Sequence, residues 1–242
     1  SGSGAVPALF ATQSVLDTTY TLTESPGGQT LDMVLYSKIV GTARPQELLM
    51  PPEESLPIII DLLRGLQAME ENAIVHSDLT EDKIFIVDSG RHALITDFSE
   101  ACLVDSSDLF LGCSRGDAAG SAYRHAPEME AGRADRVSVN VWQLGLVFAR
   151  MTLGDVVPTL SEVLRWAPAE SAVELDDTTW RGRQLIRELI AKYFAIEEVP
   201  AFKRLYPEHQ DILDIVKGML ERNPDNRWSA SGALVAAEKV AH

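Results

Sequence analysis

His76-Ser77-Asp78-Leu79-Thr80-Glu81-Asp82-Lys83-Ile84-Phe85-Ile86 decides how this chain is read. A polar loop carrying three carboxylates and one ammonium runs straight into an apolar, β-branched segment. Asp88-Ser89-Gly90-Arg91 then reads as a hairpin turn, and residues 92–96 as the returning strand. Asp97-Phe98-Ser99 follows that strand directly. Ala126-Pro127-Glu128 comes about thirty residues later, then Asn140-Val141-Trp142-Gln143-Leu144-Gly145, then Asn223-Pro224-Asp225-Asn226-Arg227. Each motif alone is weak. Their order and separation together are specific.

Composition narrows the function classes. The chain has 242 residues, 45% hydrophobic and 24% charged, which is globular and not disordered. It is long enough for one large domain or two small ones. No apolar run reaches the roughly 18 residues that span a bilayer, so a transmembrane protein is excluded. Lys plus Arg is 21 against 36 for Asp plus Glu, a net charge of −15. That balance excludes non-specific nucleic-acid binding and docking on anionic lipid. It favours salt-sensitive association with a basic protein partner. Two cysteines cannot staple a scaffold or build a four-cysteine zinc site. Histidines 92, 125, 209 and 242 show no metal-ligand spacing. The acidic runs at 53–54, 176–177 and 197–198 read as solvated faces.

Local patterns give a mostly helical chain. Ser1-Gly2-Ser3-Gly4 reads as a cloning scar or linker. Residues 5–12 and 20–24 read as strands, before the turn signal Ser25-Pro26-Gly27-Gly28. Helices are expected over 30–39, 55–72, 180–194, 211–220 and 230–240 from apolar spacing. Residues 139–151 are apolar almost all round, which marks a buried helix. Residues 74–78 and 83–87 read as short extended segments, and 98–124 as a long loop without periodicity. The expected architecture is a helical bundle with one small β-hairpin at an edge.

The ordered motifs resemble the C-terminal lobe of a protein kinase over roughly residues 20–240. The Trp-Gln-Leu-Gly-Leu run at 142–146 looks most like the apicomplexan rhoptry-kinase family, many of whose members are pseudokinases. The bradyzoite-pseudokinase branch, which lacks a glycine loop, is a further resemblance. The likeness implies an α+β kinase-like fold with a truncated or remodelled N-lobe. Residues 5–24 would be the remnant of the N-lobe and hinge, and 25–242 the C-lobe. It also implies a secreted parasite protein of the rhoptry, vacuole or cyst wall.

Phosphoryl transfer needs a base near the attacking hydroxyl and cations on the phosphates. By resemblance Asp78 holds the place of the base and Asp97 that of the metal-binding carboxylate. The departures are Ser77 for the switch arginine, Thr80 for the loop lysine, and Lys83 for the second metal ligand, normally Asn. Ser99 replaces a glycine, and Asn140 replaces an Asp at the start of the buried helix. No glycine loop and no strand lysine are found. Only about twenty residues precede the expected hinge, too few for five strands of about six residues each.

Two readings stand for most positions. Asp78 is a catalytic base or a loop-organising carboxylate. Asp97 is a weak metal ligand or a relic holding the hairpin. Lys83 contacts phosphate as a metal surrogate, or plugs the site by neutralising the aspartates. His76 is read as a core histidine packed with Phe98, and Trp142 as core. Glu128 and Arg227 are expected to form a buried pair by the resemblance. Cys102 and Cys113 form a disulfide if the protein is secreted, or stay free thiols. The expected function is a pseudokinase: a binding or scaffold module with no required cofactor and at most weak ATP and Mg²⁺ binding. The rival is an active atypical Ser/Thr kinase without a glycine loop. It would use Asp78 as base and Asp97 for Mg²⁺, with Glu81 or Asp82 as substitute ligand.

Overall fold

The computed structural model describes residues 9–15, 18–23, 25–41, 47–88, 92–104, 113, 122–130, 137–168 and 174–242. The scar or linker at 1–4 and most of the long loop lie outside the described residues. The fold is α+β and mainly helical. Strands β1 (Leu9–Val15) and β2 (Thr18–Thr23) pair antiparallel, with a bulge between Leu9 and Ala11. Of the strand expected over 5–12, residues 9–12 are extended and the strand runs on to Val15, whereas 5–8 lie outside the described residues. A two-residue strand β3 (Gln29–Thr30) leads into helix α1 (Leu31–Gly41).

Helix α2 (Pro52–Glu71) begins with proline, whose missing N–H costs nothing at a helix start. Leu56, Ile59, Leu62, Leu63, Leu66 and Met69 bury one face. That face packs on helix α4 (Ser138–Leu153), strand β6 (His92–Ile95) and the last helix, α9 (Ala230–Ala241). Every residue of α4 from Val139 to Ala149 is buried, which fits a sequence apolar almost all round, with Asn140 and Gln143 as its buried polar members. A Cβ on Gly145 would lie 3.0 Å from Leu220 and Met219 side-chain atoms, so helix α8 (Gln210–Met219) packs close against α4.

One hairpin was expected, and three small sheets are found among the described residues. Beside β1–β2, strands β3, β5 (Ile84–Val87) and β6 form an antiparallel sheet in the order β3-β5-β6. Strand β4 (Ile74–Val75) pairs with β7 (Cys102–Leu103), inside the segment expected to be loop. Four short helices also escape periodicity: α3 (Pro127–Glu130), α5 (Leu160–Trp166), α7 (Pro200–Leu205) and the 3₁₀ turn Ile196–Glu198. One or two turns cannot show a 3.6-residue repeat. Helix α6 spans Trp180–Tyr193.

Candidate functional site

The polar loop from His76 to Lys83 lies between β4 and β5, and α4 shapes it from below. Asn140 Oδ1 accepts from the His76 backbone N–H at 2.9 Å, and its Nδ2 donates to the Ile74 carbonyl at 2.8 Å. One turn on, Gln143 Oε1 accepts from the Leu79 N–H at 3.2 Å, and its Nε2 donates to the Ser77 carbonyl at 2.8 Å. Two buried amides thus satisfy four backbone groups that the loop's irregular path leaves unpaired. Ser77 has φ +70° and Asp97 φ +58°. Non-glycine residues in that left-handed region cost of order 1 kcal/mol, and such strain clusters at functional sites.

The β5–β6 register brings the chemistry together. Ile84 opposes Ile95, so Lys83 opposes Thr96 and Asp97 follows at its side. The Thr96 N–H and hydroxyl both donate to the Lys83 carbonyl, at 2.8 and 2.9 Å. Lys83 Nζ then reaches Asp97 Oδ2 at 2.6 Å and Asp82 Oδ2 at 3.3 Å. The other Asp97 oxygen accepts from the Ser99 hydroxyl at 2.7 Å. The hydrogen bond to Lys83, followed by that to Ser99, takes the Asp97 pKa down to about 2. The same bond raises the Lys83 ammonium above its usual range. Both Asp97 oxygens are occupied, and one holds a cation.

These residues do not fit a magnesium site. A Mg²⁺ ion needs oxygen ligands at about 2.1 Å, and an ammonium has no lone pair to offer. Among the described residues no group of three or more His, Cys, Asp or Glu side chains is placed to hold a metal ion. Asp78 is half-buried and makes no hydrogen bond or ion pair among the described residues. Thr80 donates to Asp82 at 2.5 Å.

Glu81 is not available as a substitute ligand, which corrects that expectation. Its side chain is only 3% exposed, and Oε2 meets Arg124 Nη2 at 2.5 Å and Arg150 Nη1 at 3.4 Å. A buried carboxylate is tolerated only when paired, and two guanidinium groups do that here. Glu81 thereby ties the turn Ala122–Arg124 and helix α4 to the loop. Arg124, Arg150 and Gln143 were not expected in the site. Their partners in the loop lie dozens of residues away, and the motif that contains Gln143 does not reveal its grip on the loop.

His76 is buried with its ring 4.9 Å from that of Phe98. Its Nε2–H donates to the Thr96 carbonyl at 3.0 Å, which fixes the neutral tautomer. Burial lowers its pKa, against the opposing pull of Thr96, Asp78 and Asp97. Arg227 holds Glu128 bidentately, with Nη1–Oε1 at 2.5 Å and Nη2–Oε2 at 2.9 Å, and both side chains are excluded from water. Its guanidinium also lies 5.0 Å from the ring centre of buried Trp142. Cys102 and Cys113 form a disulfide, so the open question of free thiols is answered by the bonded form. Ser77 Oγ lies 3.6 Å from Cys102 Sγ, so this bridge stands at the switch-arginine position.

The sequence matches a family model described as protein kinase domain over residues 16–237. Similar proteins include cyclin-dependent kinase 7 of Dictyostelium discoideum, 26% identical over 193 residues, covering 78% of this chain and 52% of that protein. A probable serine/threonine-protein kinase of the same organism is 24% identical over 200 residues, covering 76% and 41%. The serine/threonine-protein kinase shk1/pak1 of Schizosaccharomyces pombe is 34% identical over 102 residues, covering 42% and 15%. The chain spans about half the length or less of these curated relatives. A match over nearly the whole chain, joined to a loop, hairpin and buried helix in kinase order, establishes that this chain belongs to the protein kinase domain family.

Proposed function

We propose that this chain is a pseudokinase of the rhoptry-kinase type, a kinase homologue that acts by binding a protein partner and transfers little or no phosphate. The observation that carries the reading is Lys83 held 2.6 Å from Asp97, where a second metal ligand would stand. Thr80 supplies no cation for a transferring phosphate, and Ser77 supplies none for a phosphorylated loop. Catalysis of phosphoryl transfer is almost wholly positioning and charge. Each lost tenfold is about 1.4 kcal/mol of barrier, and several such groups are changed at once. ATP then binds weakly or not at all, without a metal requirement. The Cys102–Cys113 bridge supports a secreted, oxidising location.

The rival reading, an active atypical Ser/Thr kinase, has one observation in its favour: the Asp78 carboxylate is unpaired and partly open to solvent. Thermal unfolding with a non-hydrolysable ATP analogue, with and without Mg²⁺ or Mn²⁺, separates the two. The pseudokinase reading expects no metal-dependent rise in Tm. It also expects no phosphate transfer from radiolabelled ATP to mixed protein substrates. Transfer that disappears in Asp78→Asn would overturn it.

A further inference from the structure

A groove of about 600 Å³ lies beside the α1–α2 pair, and its lining includes none of Asp78, Lys83 or Asp97. Its floor is aliphatic: Ile58 is buried and Val34 and Val87 are half-buried. Its rim is acidic, carrying Glu53, Glu54 and Asp88, all exposed. Lys38 pairs with Glu54 at 2.5 Å and neutralises that charge. Glu53 and Asp88 have no ion-pair partner among the described residues. Pro57, also on the groove, has no N–H to give the Glu53 carbonyl. The partial positive charge at the start of α2 is about half a unit, so two full carboxylates prevail.

We infer that this groove docks a linear peptide segment of a partner protein, one that carries Lys or Arg beside aliphatic side chains. Charge complementarity selects the basic residues, and the aliphatic floor buries their neighbours. The two rim carboxylates without an ion-pair partner among the described residues, Glu53 and Asp88, are acceptors, which fits a donor-rich cationic chain and opposes an acidic one. The proposal is independent of phosphate transfer, because the groove and the polar loop share no residue.

The test is selection of a phage-displayed random dodecapeptide library on the protein. Selected peptides are then measured by fluorescence polarisation on wild type and on Glu53→Gln/Asp88→Asn. Asn tolerates the left-handed backbone at position 88 (φ +49°), so the variant changes charge and little else. Expected are peptides enriched in Lys or Arg next to Leu, Ile or Val. They should bind at least tenfold more weakly to the variant, weaken with added salt, and lose binding when their aliphatic residues become Ser. Enrichment without basic residues, equal binding to the variant, or no enrichment would overturn the inference. So would concentration-dependent dimerisation that the variant abolishes, since a second copy would then be the occupant.

Discussion

Replacing both cysteines, as Cys102→Ser with Cys113→Ser, tests the bridge and its reach together. The two residues are 11 apart in sequence. Closing a loop of that size removes entropy from the unfolded chain worth about 3 kcal/mol. The native contacts that remain are the β4–β7 pairing and the Ser77 approach to position 102. The double variant should therefore unfold with a midpoint lowered by about 3 kcal/mol of stability. For a chain of this size that is a fall in Tm of order 10 °C. The urea m-value should rise, because the unlinked denatured chain exposes more surface. Wild type with a phosphine reductant should follow the variant, and the oxidised, denatured wild type should titrate no free thiol. A loss under about 0.5 kcal/mol, or free thiols in the untreated protein, would refute the reasoning.

Arg227→Met leaves the Glu128 carboxylate buried without its counter-ion, with only the Ser138 hydroxyl donating to it among the described residues, so stability should fall by about 3–5 kcal/mol in urea unfolding. Adding Glu128→Leu should restore most of it. The acid limb is a second check. Asp97 sits near 2 in the folded state against about 3.9 unfolded, so its contribution is present above pH 4 and lost as pH falls through 2. The Asp97 side chain is 40% exposed, so screening reduces this to about 1 kcal/mol, and Asp97→Asn should flatten it. His76, held neutral by burial, should begin to cost stability already below about pH 6.5, as the unfolded chain takes the proton. Urea midpoints measured from pH 2 to 8 separate the two limbs.

Long helices were legible because repetition carries their signal. The apolar spacing at Ile59, Leu62, Leu63, Leu66 and Met69 needed no tertiary knowledge, and the almost wholly apolar run of α4 announced its burial. The β5–β6 hairpin was legible from its turn, and with it the nearness of Lys83 to Asp97. Two-residue strands such as β3 and β7 were not, since two residues have no alternation and their pairing is set by distant neighbours. Glu81 shows the same limit at the site. In sequence it is one of three acidic residues on a polar loop. Its buried ion pairs with Arg124 and Arg150 exist only once the turn before α3 folds against α4. Charge pairs at i,i+4 can be read along a helix, whereas pairs across the fold cannot.

The amide pair on α4 holds the shape of this loop without touching its side chains. Asn140 and Gln143 grip only main-chain atoms, at Ile74, His76, Ser77 and Leu79. Every amino acid except proline offers those atoms, whatever its side chain. A substitution at Ser77, Thr80 or Lys83 therefore alters what the loop can do without altering the fixture that holds it. The mould and the casting are separate: the loop's chemistry can change while its form stays. Because neither amide titrates, the fixture also holds its form across the pH range in which the neighbouring carboxylates change charge.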